Sequence, residues 1–496
     1  MPQPNILLIT TDQQRFDHLG IAGLKGIGTP NLDRLATEGM HFKRAYCPSP
    51  ICTPTRLSLL TGLYPSTHGG YSIGVSPDLF PTRTIPAELS QNGYRTGIIG
   101  KTHFVARPDE EAHMAGGMKP PVNFFREWVG PYCGFDYIQG STGHTINHIP
   151  GMHYRTFLED AGVDYQEWFP QMGPDYHHGQ CGPWNIPQEF HDTHWVTDRT
   201  KDFIKKSAGK PWFCWASYQD PHEPFVCPEP WYSSVDTDSM EELPGFRKGE
   251  FDDKPEIYQR IFDWNIEGID DGIGIPCVFS SKKTEEEKRN ALQATLGMIA
   301  FLDYKLGELL DTLAATGQLD NTLVVFTSDH GEMHGHHGLW GKGLTAFEDC
   351  QRVPLLIWGP NLLSKKGPSD ALVSLIDLPS TFLSLAGIKD YPHIQGQDLT
   401  PIFQGNEDSV QDSVVVECRA NQQHLNQVTL ITTRYKLIIT KGFALGELYD
   451  LELDPNQYEN LWERESHQTV RLQLLETLAR KRMEAEPAFS PRTTFG

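Results

Sequence analysis

Six settings in this chain hold residues whose types could do chemistry: Asp12-Gln13, Cys52 with Arg56, Lys101 with His103, His222, Asp329-His330 and Lys342. Each ends an apolar run, opens a helical one or sits in a glycine-rich turn. Singly, each has an ordinary explanation. An acid at a strand end caps a helix about as often as it binds a metal. A loop histidine is usually solvated or hydrogen-bonded, and a lone lysine or arginine is usually surface charge. As a set they are harder to dismiss. Asp12-Gln13 and Asp329-His330 offer oxygen and nitrogen ligands to one hard divalent cation. Two lysines, an arginine and two histidines can surround a tetrahedral oxyanion. Transfer of a phosphoryl or sulfuryl group needs such a set: a metal and cations against the oxygen charge, an acid for the leaving group, and a nucleophile.

These residues must be positioned by regular elements, and the sequence shows them. "NILLITTD" is a continuous apolar run ending in an acid, the pattern of a buried parallel strand. "TPNLDRLATEG" predicts a helix with Thr29 as its cap, Pro30 in its first turn and Gly39 at its end. "YRTGIIGKTH", "PWFCWASYQDPH", "NTLVVFTSDHGE" and "VPLLIWGP" predict further strands, each breaking into polar residues at its carboxyl end. Helical stretches lie between them, notably Glu285 to Thr316. The alternation predicts an α/β fold with a large mixed, mostly parallel sheet sandwiched by helices, in which ligands bind beyond the carboxyl ends of the strands. After about Gly405 four short strands at hairpin spacing and a helix near Val470 to Ala485 predict a smaller α+β domain with an antiparallel sheet. The expected division is residues 1–400 and 401–496. Between about 104 and 192 the pattern lapses into an irregular insertion rich in Trp, Tyr, His, Pro and Gly. Its Trp128, Tyr132, Tyr137, Trp168, Tyr176 and Trp184 either stack on a substrate ring or form the insertion's own core. The "HGHHG" tract of His334, His336 and His337 suggests loop hydrogen bonding or substrate contact before a second metal.

Bulk properties narrow the partners. The 496 residues carry 42 Lys and Arg against 64 Asp and Glu, a net charge of −22. A nucleic acid would be repelled over most of such a surface, whereas a small anion can bind where the site is locally basic. No apolar run is long enough for a bilayer and no signal peptide is visible, so the sequence predicts a cytoplasmic protein without a membrane partner. Nine cysteines without a framework pattern agree with a reducing compartment. A homo-oligomer is left open.

"CTPTRLSLLTG" matches Cys-x-Pro-x-Arg followed by Thr-Gly, the signature of the formylglycine-dependent sulfatases of the alkaline phosphatase superfamily. The chain also resembles that family, in the family's order, in "TTDQQ", "TPNLDRLATEG", "GIIGKTH", "PHEPF", "TSDHGE", "HGLWGK" and "ELYDLELDPNQYENL". The resemblance implies that a formylglycine-generating enzyme oxidises Cys52 to 3-oxoalanine (formylglycine), whose hydrated aldehyde is the nucleophile. One hydroxyl of the gem-diol attacks sulfur and displaces the alcohol; the other loses a proton, and collapse to the aldehyde expels sulfate. The helix amino terminus adds partial positive charge beneath the group. The resemblance also implies the remaining roles. Asp12, Gln13, Asp329, His330 and the modified Cys52 ligate one divalent metal, and Arg56 orients the diol. Lys101 and Lys342 bind sulfate oxygens, with His222 a further substrate contact. His103 is the base, and His222, assisted by Lys342, the acid. Gln13 and His330 stand where one common family pattern has Asp and Asn. Resemblance favours Ca²⁺, while an imidazole ligand moves the preference toward Mn²⁺ or Zn²⁺. The implied activity is hydrolysis of an aryl, alkyl or carbohydrate sulfate ester. Alternatives are a phosphonate monoester or phosphodiester hydrolase with the same nucleophile and, from another class, a non-catalytic sulfate- or glycan-binding protein.

Overall fold

β1 (Asn5–Thr11) is buried along its whole length and splits its side chains between two cores. Ile6 and Leu8 face one, Leu7 and Ile9 the other, the alternation a strand imposes. The sheet that contains it is therefore covered on both faces, and an unbroken apolar run is the sequence that such a strand requires. The structure is a computed structural model. It describes residues 3–73, 75, 84–104, 123–141, 151–164, 168, 181–240, 245–263, 278–280, 283–389, 391, 394–421 and 425–486.

The other strands of this sheet are β2 (Met40–Tyr46), β3 (Arg95–Lys101), β4 (Tyr137–Ser141), β5 (Trp212–Ser217), β6 (Thr322–Ser328), β7 (Arg352–Val353), β8 (Leu355–Trp358) and β9 (Gly367–Ser374). Their order is β7-β2-β8-β6-β1-β5-β3-β4, with β9 also paired to β2. The central strands β6, β1, β5, β3 and β4 run parallel, while β8 and β7 run antiparallel to their neighbours. Register brings the carboxyl ends level: Thr11 pairs with Ser328, Thr10 with Ser217, and Gly100 with Ser217. Asp12, Asp329 and Lys101 thus lie on one rim. Gly100 is required there. Its φ is +98°, and a Cβ on it would sit 1.9 Å from the Ser217 carbonyl oxygen.

One face is packed by α1 (Pro30–Glu38), α3 (Asp192–Lys206) and α4 (Glu285–Ala315), and the other by α2 (Cys52–Thr61) and the helix Asp377–Leu385. A second sheet, antiparallel, is formed by β10 (Ser413–Asn421), β11 (Leu425–Thr432), β12 (Tyr435–Thr440) and β13 (Glu447–Asp450), followed by α5 (Gln468–Glu484). It is tied to the first through buried polar contacts: Glu348 accepts from Lys436 Nζ of β12 at 3.0 Å and from the Tyr46 hydroxyl of β2 at 3.0 Å. The mixed, mostly parallel sheet and the small antiparallel one are as the sequence predicts. Among the described residues no helix is long and apolar enough to cross a membrane.

Two expectations are corrected. Thr29 does not cap α1 with its side chain. Its hydroxyl accepts from the Gly20 amide at 2.9 Å and donates to Asp33 at 3.0 Å. The cap comes from Asp303 on α4, whose carboxylate accepts from the amides of Leu32 at 2.7 Å and Asn31 at 3.2 Å. The irregular insertion also supplies β4, an edge strand of the main sheet, which carries too short and too polar a run to announce itself. Its aromatic residues serve as core: Trp128 stacks on His153, Tyr132 on Phe104, and Trp184 packs on His191. Tyr176 lies outside the described residues.

Because Asp303 satisfies two amides that α1 cannot satisfy itself, Asp303→Ala is expected to cost about 1–3 kcal/mol. Thermal melting of the purified variant checks this. Asp303→Asn, which keeps one acceptor, should recover part of the loss.

Candidate active site

Cys52 is the first residue of α2, and Arg56 follows one helical turn later on the same side. All ten residues of this helix are buried. Gly62 ends it in the left-handed conformation, with its amide on the Ser58 carbonyl at 2.8 Å. The helix amino terminus thereby meets the rim of the sheet.

Arg56 has no exposed surface. Its guanidinium donates to Asp329 Oδ2 at 2.9 Å, Asp12 Oδ2 at 3.3 Å, Ser217 Oγ at 2.7 Å and the Lys101 carbonyl at 3.1 Å. It therefore bonds residues at the ends of β1, β3, β5 and β6. Lys101 Nζ donates to Asp12 Oδ2 as well.

Around the Cys52 sulfur, Lys342 Nζ lies at 3.1 Å, His330 Nε2 at 3.2 Å and Asp12 Oδ1 at 3.7 Å. His103 also hydrogen-bonds it. Burial raises the thiol pKa, but Lys101, Lys342, His330 and the His103 bond outweigh it and hold Cys52 well below its ordinary value. Burial likewise works against ionised Asp12, and Lys101, His222 and Lys342 overcome it to hold that carboxyl low. His222 is pushed down to about 3 by burial and by Lys342. That agrees with its geometry. Lys342 Nζ lies 2.7 Å from His222 Nε2, so the ring nitrogen accepts, and Nδ1–H donates to the Glu223 carbonyl at 2.7 Å. His103, at φ +54°, is lowered by burial and by Lys101.

Asp12, Cys52, Asp329 and His330 each offer a donor atom within 4.8 Å of the others, all buried. Two carboxylates and an imidazole beside the position of the Cys52 sulfur form a donor set that fits one divalent cation. The His330 Nδ1 bond to the Gly331 carbonyl at 2.9 Å leaves Nε2 facing the cluster. Gln13 lies beside this set. Its side-chain oxygen accepts from Lys342 at 2.6 Å, its Nε2 donates to Glu332, and its main-chain amide donates to Asp329 at 3.2 Å.

The structure thus brings together every predicted residue. It adds Ser217 and Glu332, which the sequence reading passed over. Glu332 also accepts from the amides of His334, at 3.1 Å, and Gly341. It joins the loops after β1 and β6 to the turn that carries Lys342. The available signal was its place in "TSDHGE", three residues after Asp329. In the histidine tract, His336 pairs with Asp349 at 2.7 Å and His337 with Glu250 at 3.0 Å, the loop hydrogen bonding expected.

Residues 4–388 match the sulfatase family, and residues 335–484 match the carboxyl-terminal region of N-sulphoglucosamine sulphohydrolase. An arylsulfatase of Clostridium perfringens is 30% identical over 97% of this chain and 95% of its own. Among solved structures, the phosphonate monoester hydrolase of Agrobacterium radiobacter superposes with a TM-score of 0.78 at 24% identity, covering 98% of this chain and 96% of that one. A protein solved with its substrate D-glucosamine-2-N,6-O-disulfate superposes with a TM-score of 0.70 at 20% identity, covering 97% and 98%.

Removing Arg56 would leave two buried carboxylates facing each other. Arg56→Met is expected to destabilise the chain by roughly 3–5 kcal/mol. Arg56→Lys should rescue little of it, since an ammonium cannot reach four acceptors on four strands. Denaturant and thermal unfolding of both variants test this.

Proposed function

Because the chain belongs to the sulfatase family, we propose that it hydrolyses a sulfate ester at the Cys52 centre. The observation that carries this reading is the convergence of Lys342, His330 and Asp12 on the Cys52 sulfur within 3.7 Å, beside a donor set for one divalent ion. Asp12, Asp329, His330 and residue 52 would hold that ion, which supplies positive charge against the sulfate oxygens when bound. Formylglycine at residue 52, made by a formylglycine-generating enzyme, supplies a hydrated aldehyde whose two hydroxyls serve attack and release.

The chain's own residues do the rest. Lys101 and Lys342 face the position where sulfate oxygens gather charge, and their fixed ammonium groups need no reorganisation as that charge grows. Arg56 acts as a positioning residue, anchoring α2 to the strand ends and so aiming residue 52. His103 lies within hydrogen-bond reach of residue 52 and, kept neutral by burial, can take a proton from it. The leaving oxygen needs a proton, and the Lys342–His222 pair holds one at 2.7 Å. That proton rests on Lys342, since His222 accepts there. His222 therefore serves as partner and relay, and Lys342 as the source. Gln13, itself fixed by Glu332, also orients Lys342.

Removing the proton source should matter most where the leaving group is a poor one. Lys342→Ala is expected to lower kcat by about 10²–10⁴-fold on alkyl or sugar sulfates and by much less on a nitrophenyl sulfate. Equal losses on all would place Lys342 in binding alone. The reading as a whole is tested by the mass of the peptide containing Cys52, from chain expressed with a formylglycine-generating enzyme. Exchange of sulfur for oxygen with loss of two hydrogens is expected. Modified chain should then turn over aryl sulfates faster than aryl phosphonate monoesters. The reverse order would make it a phosphonate hydrolase, and turnover by an unmodified thiol would overturn the mechanism.

A further inference from the structure

A second group of ligand-type side chains lies behind the first. His191 and Asp192 open α3, and Asp220 follows β5 on the loop to His222. Each offers a donor atom within 4.8 Å of the others, and all three are more than nine-tenths buried. His191 Nε2 lies 3.9 Å from Asp220 Oδ2, and Nδ1 lies 3.4 Å from Asp192 Oδ1. Asp220 accepts from the Thr193 hydroxyl at 2.7 Å.

What singles this group out is what it lacks. Nε2 of His191 is buried without a hydrogen-bond partner, and the Asp192 carboxylate has only main-chain amides near it, those of Thr193, Gln219 and its own residue. Among the described residues no lysine or arginine forms a salt bridge with either carboxylate, and burial pushes His191 down to about 3, so the neighbouring ring is neutral and supplies no charge. The walls are aromatic, with Trp184 and Phe301 packed edge-on against the imidazole. Two carboxyl groups in such a setting require a neutralising charge. Burial pushes Asp192 up to about 7, and burial with Asp192 pushes Asp220 well above its ordinary value.

We propose that His191, Asp192 and Asp220 bind a second divalent cation, of the Mn²⁺ or Zn²⁺ class that a mixed carboxylate and imidazole set favours. Its site is distinct from the cluster at Cys52. Ligation through Nε2 requires the neutral ring to carry its proton on Nδ1, beside Asp192 Oδ1. In this structure the Thr193 amide donates to Nδ1 at 3.2 Å and caps α3, so ion binding would break that hydrogen bond and move the ring proton from Nε2 to Nδ1. Asp192 Oδ2, Asp220 and Nε2 remain for the ion. The ion would act as a brace. The Asp220 carbonyl accepts from the Asp12 amide at 3.3 Å, and His222 lies two residues further on. Fixing Asp220 to the start of α3 thus fixes the loop that presents His222 and supports Asp12.

Native mass spectrometry counts the ions directly, on the folded full-length chain stripped with chelator and then equilibrated with Mn²⁺. Wild type should carry two Mn²⁺ per chain, Asp192→Asn one, and Asp329→Ala one. One ion in wild type, or as many in Asp192→Asn as in wild type, would overturn the proposal. The latter result would leave the two carboxyl groups sharing a proton instead. Should Asp192→Asn fail to fold, Asp220→Asn serves, and so does melting of Asp329→Ala alone. Mn²⁺ must raise its melting temperature above that in chelator, and no rise sinks the second site. These counts do not depend on the sulfatase reading, which fails or stands on the Cys52 peptide and the substrate rates.

Discussion

A guanidinium with no contact with water sits at the centre of this fold, and every part of the site leans on it. Burying Arg56 is unfavourable unless each of its donors is satisfied. Two carboxylates, a hydroxyl and a carbonyl do this, and they come from the ends of β1, β3, β5 and β6. The requirement works in both directions. The strands must end level for the acceptors to meet, and α2 must enter at one angle for Arg56 to reach them. Cys52, one turn back on the same helix, then has no freedom of position. Other buried charges follow from this anchor: Lys101 beside Asp12, Lys342 beside Gln13 and His222.

The parts of the site legible in the sequence are those whose signal is local. A strand that ends in an acid, and a cysteine four residues before an arginine in a helix, can be read because the meaningful spacing lies within one element. Level strand ends in a parallel sheet then bring such signals together without further information. Partners distant in sequence stay hidden. Asp303 caps a helix from 271 residues away at Leu32, so Thr29, a good local candidate, was read in its place. Strand β4 was missed because an edge strand needs only one apolar face. Glu332 lies within "TSDHGE", yet nothing in that motif says that it bonds Gln13 and the turn before Lys342. Gln13, a metal ligand by family resemblance, also has a contact that no motif announces. Its φ of +66° turns the residue, and its side-chain oxygen meets Lys342.

The group formed by His191, Asp192 and Asp220 shows the same limit in another form. The first two look like a helix start, which they are, and the third looks like a residue beside "PHEP". Only the packing of α3 against β5 makes them neighbours, and only burial turns their charges into a problem that must be solved.

The distribution of charge also says where selectivity must reside. The chain carries −22 overall, so its surface does not draw anions from a distance, and screening limits any attraction to short range. The cations that matter are few, buried and fixed: Lys101, Lys342 and Arg56 face two carboxylates that already claim much of their charge. A sulfate monoester and a phosphonate monoester each present one negative charge on tetrahedral oxygens, and such a cradle receives both alike. Differential binding in the transition state must then come from the bond being broken. There the two differ in how much charge reaches the leaving oxygen, and so in how much they need the proton on Lys342. Burial and the Lys342 charge 2.7 Å away keep His222 neutral and a weak base, so the proton stays on the lysine. On the proposed mechanism, the Lys342–His222 contact is thus the point where the site discriminates one ester from another.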